Sequence, residues 1–87
     1  MDLAFSDDDL AFREEVRAFV AGNLPEDISE SVRRGRAIGK ADIQRWQRIM
    51  FERGWAAPAW PVEYGGTGWD ATRRYIFDEV MAEFDTP

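Results

Sequence analysis

Carboxylates are abundant in this chain, and histidine and cysteine are absent: 17 Asp and Glu residues stand against 11 Lys and Arg in 87 residues. Without histidine the chain lacks the commonest general base near neutral pH and the commonest zinc ligand. Without cysteine it has neither thiol chemistry nor disulfide staples. That leaves carboxylate chemistry, which needs two acids that face each other. Pairs such as Glu14–Glu15 and Asp78–Glu79 are adjacent in sequence, and adjacent helical residues point apart, so they read as solvated faces. Glu63 is different because it sits among tryptophan and tyrosine. An acid held between rings can have its pKa raised, or it can cap a backbone group or pair with an arginine.

Two further groups could bind rather than react. Gly65, Gly66 and Gly68 precede a helix-forming run, and backbone N–H groups at a helix start hold anions. No strand leads into them and no Lys-Ser/Thr follows, so the phosphate-loop pattern is incomplete. The glycines read more simply as residues of a tight turn. The aromatics Trp46, Trp55, Trp60, Tyr64 and Trp69 could form a ligand cage or a groove for a proline-rich peptide. They could equally be core, or a surface that seats another domain. Most of them lie in one connector, residues 54–69, which carries three of the four tryptophans, two of the four prolines and four of the seven glycines. Loops are usually polar. This one is apolar and stiffened by proline, so the sequence predicts that it packs against something.

The elements that hold these residues are helical. Ser6 is a good N-cap, with Asp9 three residues on, and Phe5 and Leu10 stand at the positions of a hydrophobic staple. Phe12, Val16, Phe19 and Val20 recur on one helical face. Gly22 and Asn23 are expected to end this helix in left-handed geometry, with Pro25 blocking continuation. Pro25, Glu26 and Asp27 then open a short helix carrying Ile28 and Val32, which Gly35 can end. Residues 35–41 read as a connection. A long helix is predicted from about Ala41 or Asp42 to Arg53, with Ile43, Trp46 and Met50 inward, Ile49 beside them and Gly54 as its C-terminal cap. Another starts near Trp69 or Asp70, capped by Thr67 or Asp70. Its apolar stripe is Ile76, Phe77, Val80, Met81 and Phe84, and an Arg74–Asp78 pair is expected on its surface. No segment alternates with period two. The fold class is therefore all-α, a small bundle of three longer helices and one short one over residues 1–87.

Composition narrows the function classes. The formal net charge is −6, which opposes binding to nucleic acid. The local basic run Arg33, Arg34, Arg36 and Lys40 reads as a solvated face or an anion patch. No apolar stretch reaches the roughly 18 residues of a membrane span. Met1-Asp2-Leu3 lacks the basic start of a secretory signal, so the chain reads as soluble and cytoplasmic.

The order of these features is more specific than any one of them. Phe5-Ser6 through Val20 is followed by Leu24-Pro25-Glu26-Asp27-Ile28, then Trp46-Gln47, then Arg53-Gly54-Trp55-Ala56-Ala57-Pro58. Next come Trp60-Pro61-Val62-Glu63-Tyr64-Gly65-Gly66-Thr67-Gly68-Trp69 and Arg74-Tyr75-Ile76-Phe77-Asp78-Glu79. Across nearly its whole length the chain resembles the N-terminal helical domain of a bacterial acyl-CoA dehydrogenase, within the superfamily that also holds acyl-CoA oxidases. The resemblance implies a parent flavoenzyme with a middle β-domain and a C-terminal helical domain. In that family a glutamate of the C-terminal domain removes the proton α to the thioester carbonyl, and a hydride passes to FAD. The product is 2,3-enoyl-CoA, and electrons pass on to an electron-transfer flavoprotein. The family's catalytic and flavin-binding residues match no position here, so no catalytic, cofactor-binding or metal residue is assigned. The resemblance implies a piece of a longer enzyme, inactive alone, with FAD bound only in the parent. Trp55, Trp60, Pro61, Tyr64, Gly65, Gly66 and Trp69 are the candidate interdomain residues. The rival reading is a small interaction module that docks a partner through residues 55–69. As a piece of a longer enzyme the chain is expected to self-associate through apolar surface near Phe77, Met81 and Phe84 or through the connector, and the resemblance implies a homo-oligomer.

Overall fold

The computed structural model describes residues 5–58 and 60–87. Met1-Asp2-Leu3 and Ala59 of the connector fall outside the described residues. Four helices follow in order: α1 (Asp7–Asn23), α2 (Glu26–Arg33), α3 (Lys40–Arg53) and α4 (Ala71–Glu83). A three-residue 3-10 turn, Val62–Tyr64, interrupts the long connection before α4. The fold is all-α, with no strand among the described residues.

Local sequence chemistry sets most helix ends. Ser6 opens α1 with a reciprocal capping box. The Asp9 N–H donates to Ser6 Oγ at 3.1 Å, and the Ser6 N–H donates to the Asp9 carboxylate at 3.2 Å. Asp7, Asp8 and Asp9 place negative charge where the helix dipole favours it. At the positions of the expected hydrophobic staple, Phe5 packs against the core and Leu10 is 45% exposed. The end of α1 also differs from expectation. Neither Gly22 nor Asn23 takes positive φ. Instead Leu24 turns to extended geometry (φ −69°, ψ 118°), the conformation that a following proline imposes, and the Asn23 side-chain amide donates to the Phe19 carbonyl. Pro25 then opens α2, whose end is closed at Gly35 with φ 69°.

Helix α3 starts at Lys40, one or two residues before the predicted position, with Gly39 as a cap that offers no side-chain bond. Its far end is tightly specified. Gly54 is left-handed (φ 87°), and the Trp55 N–H reaches back to the Met50 carbonyl at 2.9 Å. Only a residue without Cβ takes this geometry freely, and it turns the chain so that Trp55 enters the core. At the start of α4, Asp70 is the cap, accepting from the Arg73 N–H at 2.9 Å. Thr67 has another role, described below.

The core is one cluster. Phe12, Val16 and Val20 of α1 meet Trp46 and Met50 of α3, Trp55, and Ile76, Phe77 and Val80 of α4. Ile43 lies outside it at 39% exposure, because the first turn of α3 extends past the cluster, which Trp46 is the first residue of this helix to join. Helix α2 buries Ile28 completely. The surface expected to drive self-association is occupied: Phe77 is 6% exposed, and Met81 and Phe84 pack against the core.

Ion pairs fix how the helices register. Arg13 pairs with Glu79 and, one turn on, Arg17 pairs with Glu83 at 2.6 Å. Both numbers rise together, so α1 and α4 run in the same direction. Arg53 ties α3 to α1 through Glu15 at 3.2 Å, and Arg45 ties α3 to α2 through Asp27 at 2.6 Å. The Arg74–Asp78 pair does not form among the described residues. Such solvent-screened pairs contribute little to stability, so they select an arrangement more than they stabilise it. The Nε atoms of Arg13 and Arg17 are buried without an acceptor among the described residues, which offsets part of their gain.

Two predictions follow from this architecture. Trp55→Ala removes a large buried ring and costs about 3–5 kcal/mol. That is much of the roughly 4–13 kcal/mol expected for a chain of this length. Asp70→Ala loses one cap bond and costs about 1 kcal/mol. Urea unfolding ranks the two, and a smaller loss for Trp55→Ala than for Asp70→Ala contradicts this core. The second prediction concerns acid. The hydrogen bond and charge of Arg45 hold the Asp27 carboxyl below its ordinary pKa. Its contribution is therefore complete above the unfolded value and is lost as pH falls through the lower folded value, below about pH 4. Hydrogen exchange of the α2 amides is expected to show this acid-side loss in the native chain and much less of it in Asp27→Asn. Equal pH profiles for the two proteins contradict the link.

Candidate functional site

The connector begins and ends inside the core. The Trp55 and Trp69 rings meet at 5.6 Å between centroids, edge to face. Both rest on Phe77, at 6.0 and 5.2 Å. Trp55 also meets Phe19 at 4.9 Å, and Trp69 meets Phe12 at 4.9 Å. The two ends of the loop are thus clasped by one aromatic cluster drawn from α1 and α4. Arg53 lies over the Trp55 ring at 4.2 Å, closing the cluster on its outer side. Arg73, at the unfavourable end of the α4 dipole, lies over Phe12 at 5.0 Å.

Between these ends the loop holds itself. Thr67 Oγ1 donates to the Pro58 carbonyl at 3.1 Å and accepts from the Trp69 N–H at 3.3 Å, bridging the two arms. The N–H groups of Tyr64 and Gly66 both donate to the Pro61 carbonyl, at 2.9 and 3.0 Å, and Gly65 donates to Val62 at 3.1 Å. Gly65 is left-handed at φ 89°. Gly66 lies so close under the Trp60 carbonyl that any Cβ there would collide with it. This turn needs no burial to keep its shape, and its tip is not buried: Trp60 is 61%, Val62 65% and Tyr64 70% exposed. Packing of the whole connector was expected. The structure packs Trp55 and Trp69 and leaves Trp60, Pro61 and Tyr64 outside. Glu63 also lies exposed in the 3-10 turn, without an ion pair among the described residues.

The glycine run is accordingly a turn and not an anion cradle. The N–H groups of Gly65, Gly66 and Trp69 are spent within the loop, and Asp70 puts a carboxylate at the start of α4 where an anion would sit. The basic run Arg33, Arg34, Arg36 and Lys40 lies exposed, with Arg34 paired to Glu30 at 3.0 Å.

The exposed tip forms one wall of an open groove of about 930 Å³. Gln44, Gln47, Arg48 and Phe51 of α3 line it too, and Phe77 and Met81 of α4 with Thr86 and Pro87 complete the lining. Trp46, Met50 and Trp55 contribute at its base, and Phe51 is 74% exposed. Phe51 was not among the residues singled out from the sequence. The signal was its position one turn beyond Gln47 and Arg48, a large apolar ring on an otherwise polar face. A smaller cleft of about 310 Å³ lies beside α1, where Arg53 and Arg73 face Asp8 and Glu15, so its charges cancel.

Among the residues that line the larger groove, Arg48 carries the one charged side chain and none is Asp or Glu. Among the described residues no group of three Asp or Glu is placed to hold a metal ion. A flavin dinucleotide does not fit these residues either. Its pyrophosphate asks for several convergent N–H donors or cations, and the groove offers Arg48 alone. No described helix is long and apolar enough to cross a membrane.

Comparison with known proteins supplies the family. The family described as "Acyl-CoA dehydrogenase, N-terminal domain" matches residues 6–87. No curated protein and no solved structure matches the chain. With that match covering the capped start of α1, the aromatic clasp, the connector and all of α4, the chain belongs to the acyl-CoA dehydrogenase N-terminal domain family.

Proposed function

We propose that this chain is the N-terminal helical domain of an FAD-dependent acyl-CoA dehydrogenase acting in the cytoplasm, and that the parent enzyme oxidises acyl-CoA thioesters to 2,3-enoyl-CoA. The observation that carries the reading is the family match over residues 6–87. The exposed connector tip supports it: Trp60 and Tyr64 are displayed on a hydrogen-bonded turn. In this reading the helical domain is scaffolding. Its aromatic clasp fixes the connector, and the connector tip, with Trp60, Pro61 and Tyr64, seats a neighbouring domain. The flavin, the catalytic base and most of the acyl pocket belong to a middle β-domain and a C-terminal helical domain. The parent takes acyl-CoA as substrate, passes electrons to an electron-transfer flavoprotein and assembles as a homo-oligomer.

The purified 87-residue chain, mixed with FAD and acyl-CoAs of several lengths, is expected to retain no yellow colour and to reduce no dye. The complete reading frame that encodes it is expected to give a flavoprotein that reduces a dye in the presence of acyl-CoA and yields enoyl-CoA. Turnover by the chain alone, or a complete product that binds no flavin, contradicts the proposal. In the second case the connector would serve a foreign partner.

A further inference from the structure

The loop between α2 and α3 is exposed, as the connector tip is, but it is held differently. In the connector the N–H groups of Trp60, Tyr64, Gly65, Gly66 and Trp69 are all bonded within the loop. In the loop that leaves α2, the Gly35 N–H donates to the Val32 carbonyl at 3.1 Å and the Arg36 N–H to the Ser31 carbonyl at 2.8 Å. Beyond them the N–H groups of Ala37, Ile38 and Gly39 make no backbone bond among the described residues, and the chain there is neither helix nor turn. Gly39 is extended (φ −76°, ψ 163°). Arg36, Ala37 and Gly39 are exposed, and among the described residues neither Ala37 nor Ile38 joins the core cluster.

A protease binds its substrate as an added strand, through main-chain hydrogen bonds, so it needs an exposed segment whose N–H and C=O groups are unspent. The side chain before the cut selects the protease. Of the 11 Lys and Arg residues, all but Arg34 and Arg36 lie in helices. Arg34 is the more tightly held of the two. Its N–H donates to the Glu30 carbonyl, its guanidinium pairs with the Glu30 carboxylate at 3.0 Å, and left-handed Gly35 follows it. Arg36 has no ion pair among the described residues, and it leads directly into the unpaired segment.

The core does not depend on this loop being continuous. Arg13 pairs with Glu79, Arg17 with Glu83, Glu15 with Arg53 and Asp27 with Arg45. Phe12 meets Trp69, and Phe19 meets Trp55. Each of these contacts joins residues 1–36 to residues 37–87. A small domain has a folded-to-unfolded ratio of about 10³ or more. A short linker supplies an effective concentration of about 1 mM, so at about 100 μM protein its loss lowers that ratio about tenfold. The folded form still dominates.

We infer that the Arg36–Ala37 bond is a cleavage site for an arginine-specific serine protease, and that the cut chain remains one folded domain in two pieces. The protease serine oxygen attacks the Arg36 carbonyl carbon. The bond to the Ala37 nitrogen breaks as that nitrogen takes the serine proton by way of the protease histidine, and Ala37 becomes a new amino terminus. Water then releases Arg36 as a carboxylic acid and restores the serine. This is independent of the proposed function, because it rests on the α2–α3 loop and on contacts within the helical core.

The test is limited digestion of the native 87-residue chain, read by mass spectrometry. Trypsin is expected to cut first after Arg36, about a hundredfold faster than at any helical Lys or Arg, since those bonds must wait for local opening. Subtilisin, used for its broad side-chain tolerance, is expected to cut first within residues 36–40 and not in the connector tip. Arg36→Gln is expected to slow the first tryptic cut about tenfold, with far-UV circular dichroism unchanged. In gel filtration at about 100 μM the two pieces should elute together at the volume of the uncut chain and separate in urea. A first cut elsewhere by either protease, an unchanged tryptic rate in Arg36→Gln, or separate elution of the pieces without denaturant overturns the inference.

Discussion

The structure depends on a change of direction at Gly54. Helix α3 would carry its exposed and buried faces straight on, but a left-handed residue there turns the chain back, and Trp55 enters between α1 and α4. That ring meets Phe19, Trp69 and Phe77, which are drawn from α1, the residue before the α4 cap, and α4 itself. A small chain has little apolar area to spare, so one ring shared by three elements is an economical way to close a bundle. Arg53, the last residue of α3, then covers the outside of the same ring and reaches Glu15 on α1.

Because Trp55 and Trp69 secure the two ends of the connector, its middle is free to face outward without being loose. The Pro61 carbonyl accepts from two N–H groups, and Thr67 bridges to Pro58, so Trp60, Val62 and Tyr64 are displayed on an ordered turn. Ordered, exposed rings lose little conformational entropy when covered, which is the condition for a preorganised contact surface. The chain belongs to the acyl-CoA dehydrogenase N-terminal domain family, and in the proposed reading this surface meets a neighbouring domain.

Much of this was legible in the sequence where the code is local. Ser6 with Asp9, Gly54 after Arg53, and Asp70 three residues before Arg73 each specify a helix end through bonds among near neighbours. The spacing of Phe12, Val16 and Val20 gave the buried face of α1 because helical period and burial coincide there. Tertiary context decided the rest. Gly22 and Asn23 could have ended α1, but Pro25 constrained Leu24 first. Ile43 shares a face with Trp46 yet lies beyond the core, and Phe51 looks like any apolar helical residue until α3 is placed with its opposite side inward. The connector misled in a similar way. Its composition indicated packing, but only its ends are packed, since proline and internal hydrogen bonds order the tip without burying it.

The four indole rings report directly on this division between clasp and tip. In a carbon-13 correlation spectrum of the ring C–H groups, with each residue's peaks assigned by a single Trp→Phe variant, a soluble paramagnetic gadolinium chelate should separate the residues. The rings of Trp46 and Trp55, at 6% and 5% exposure, should be relaxed weakly, and that of Trp60, at 61%, strongly. A Trp55 ring relaxed as strongly as that of Trp60 would mean that no aromatic clasp holds the connector, and the account built on it would fail.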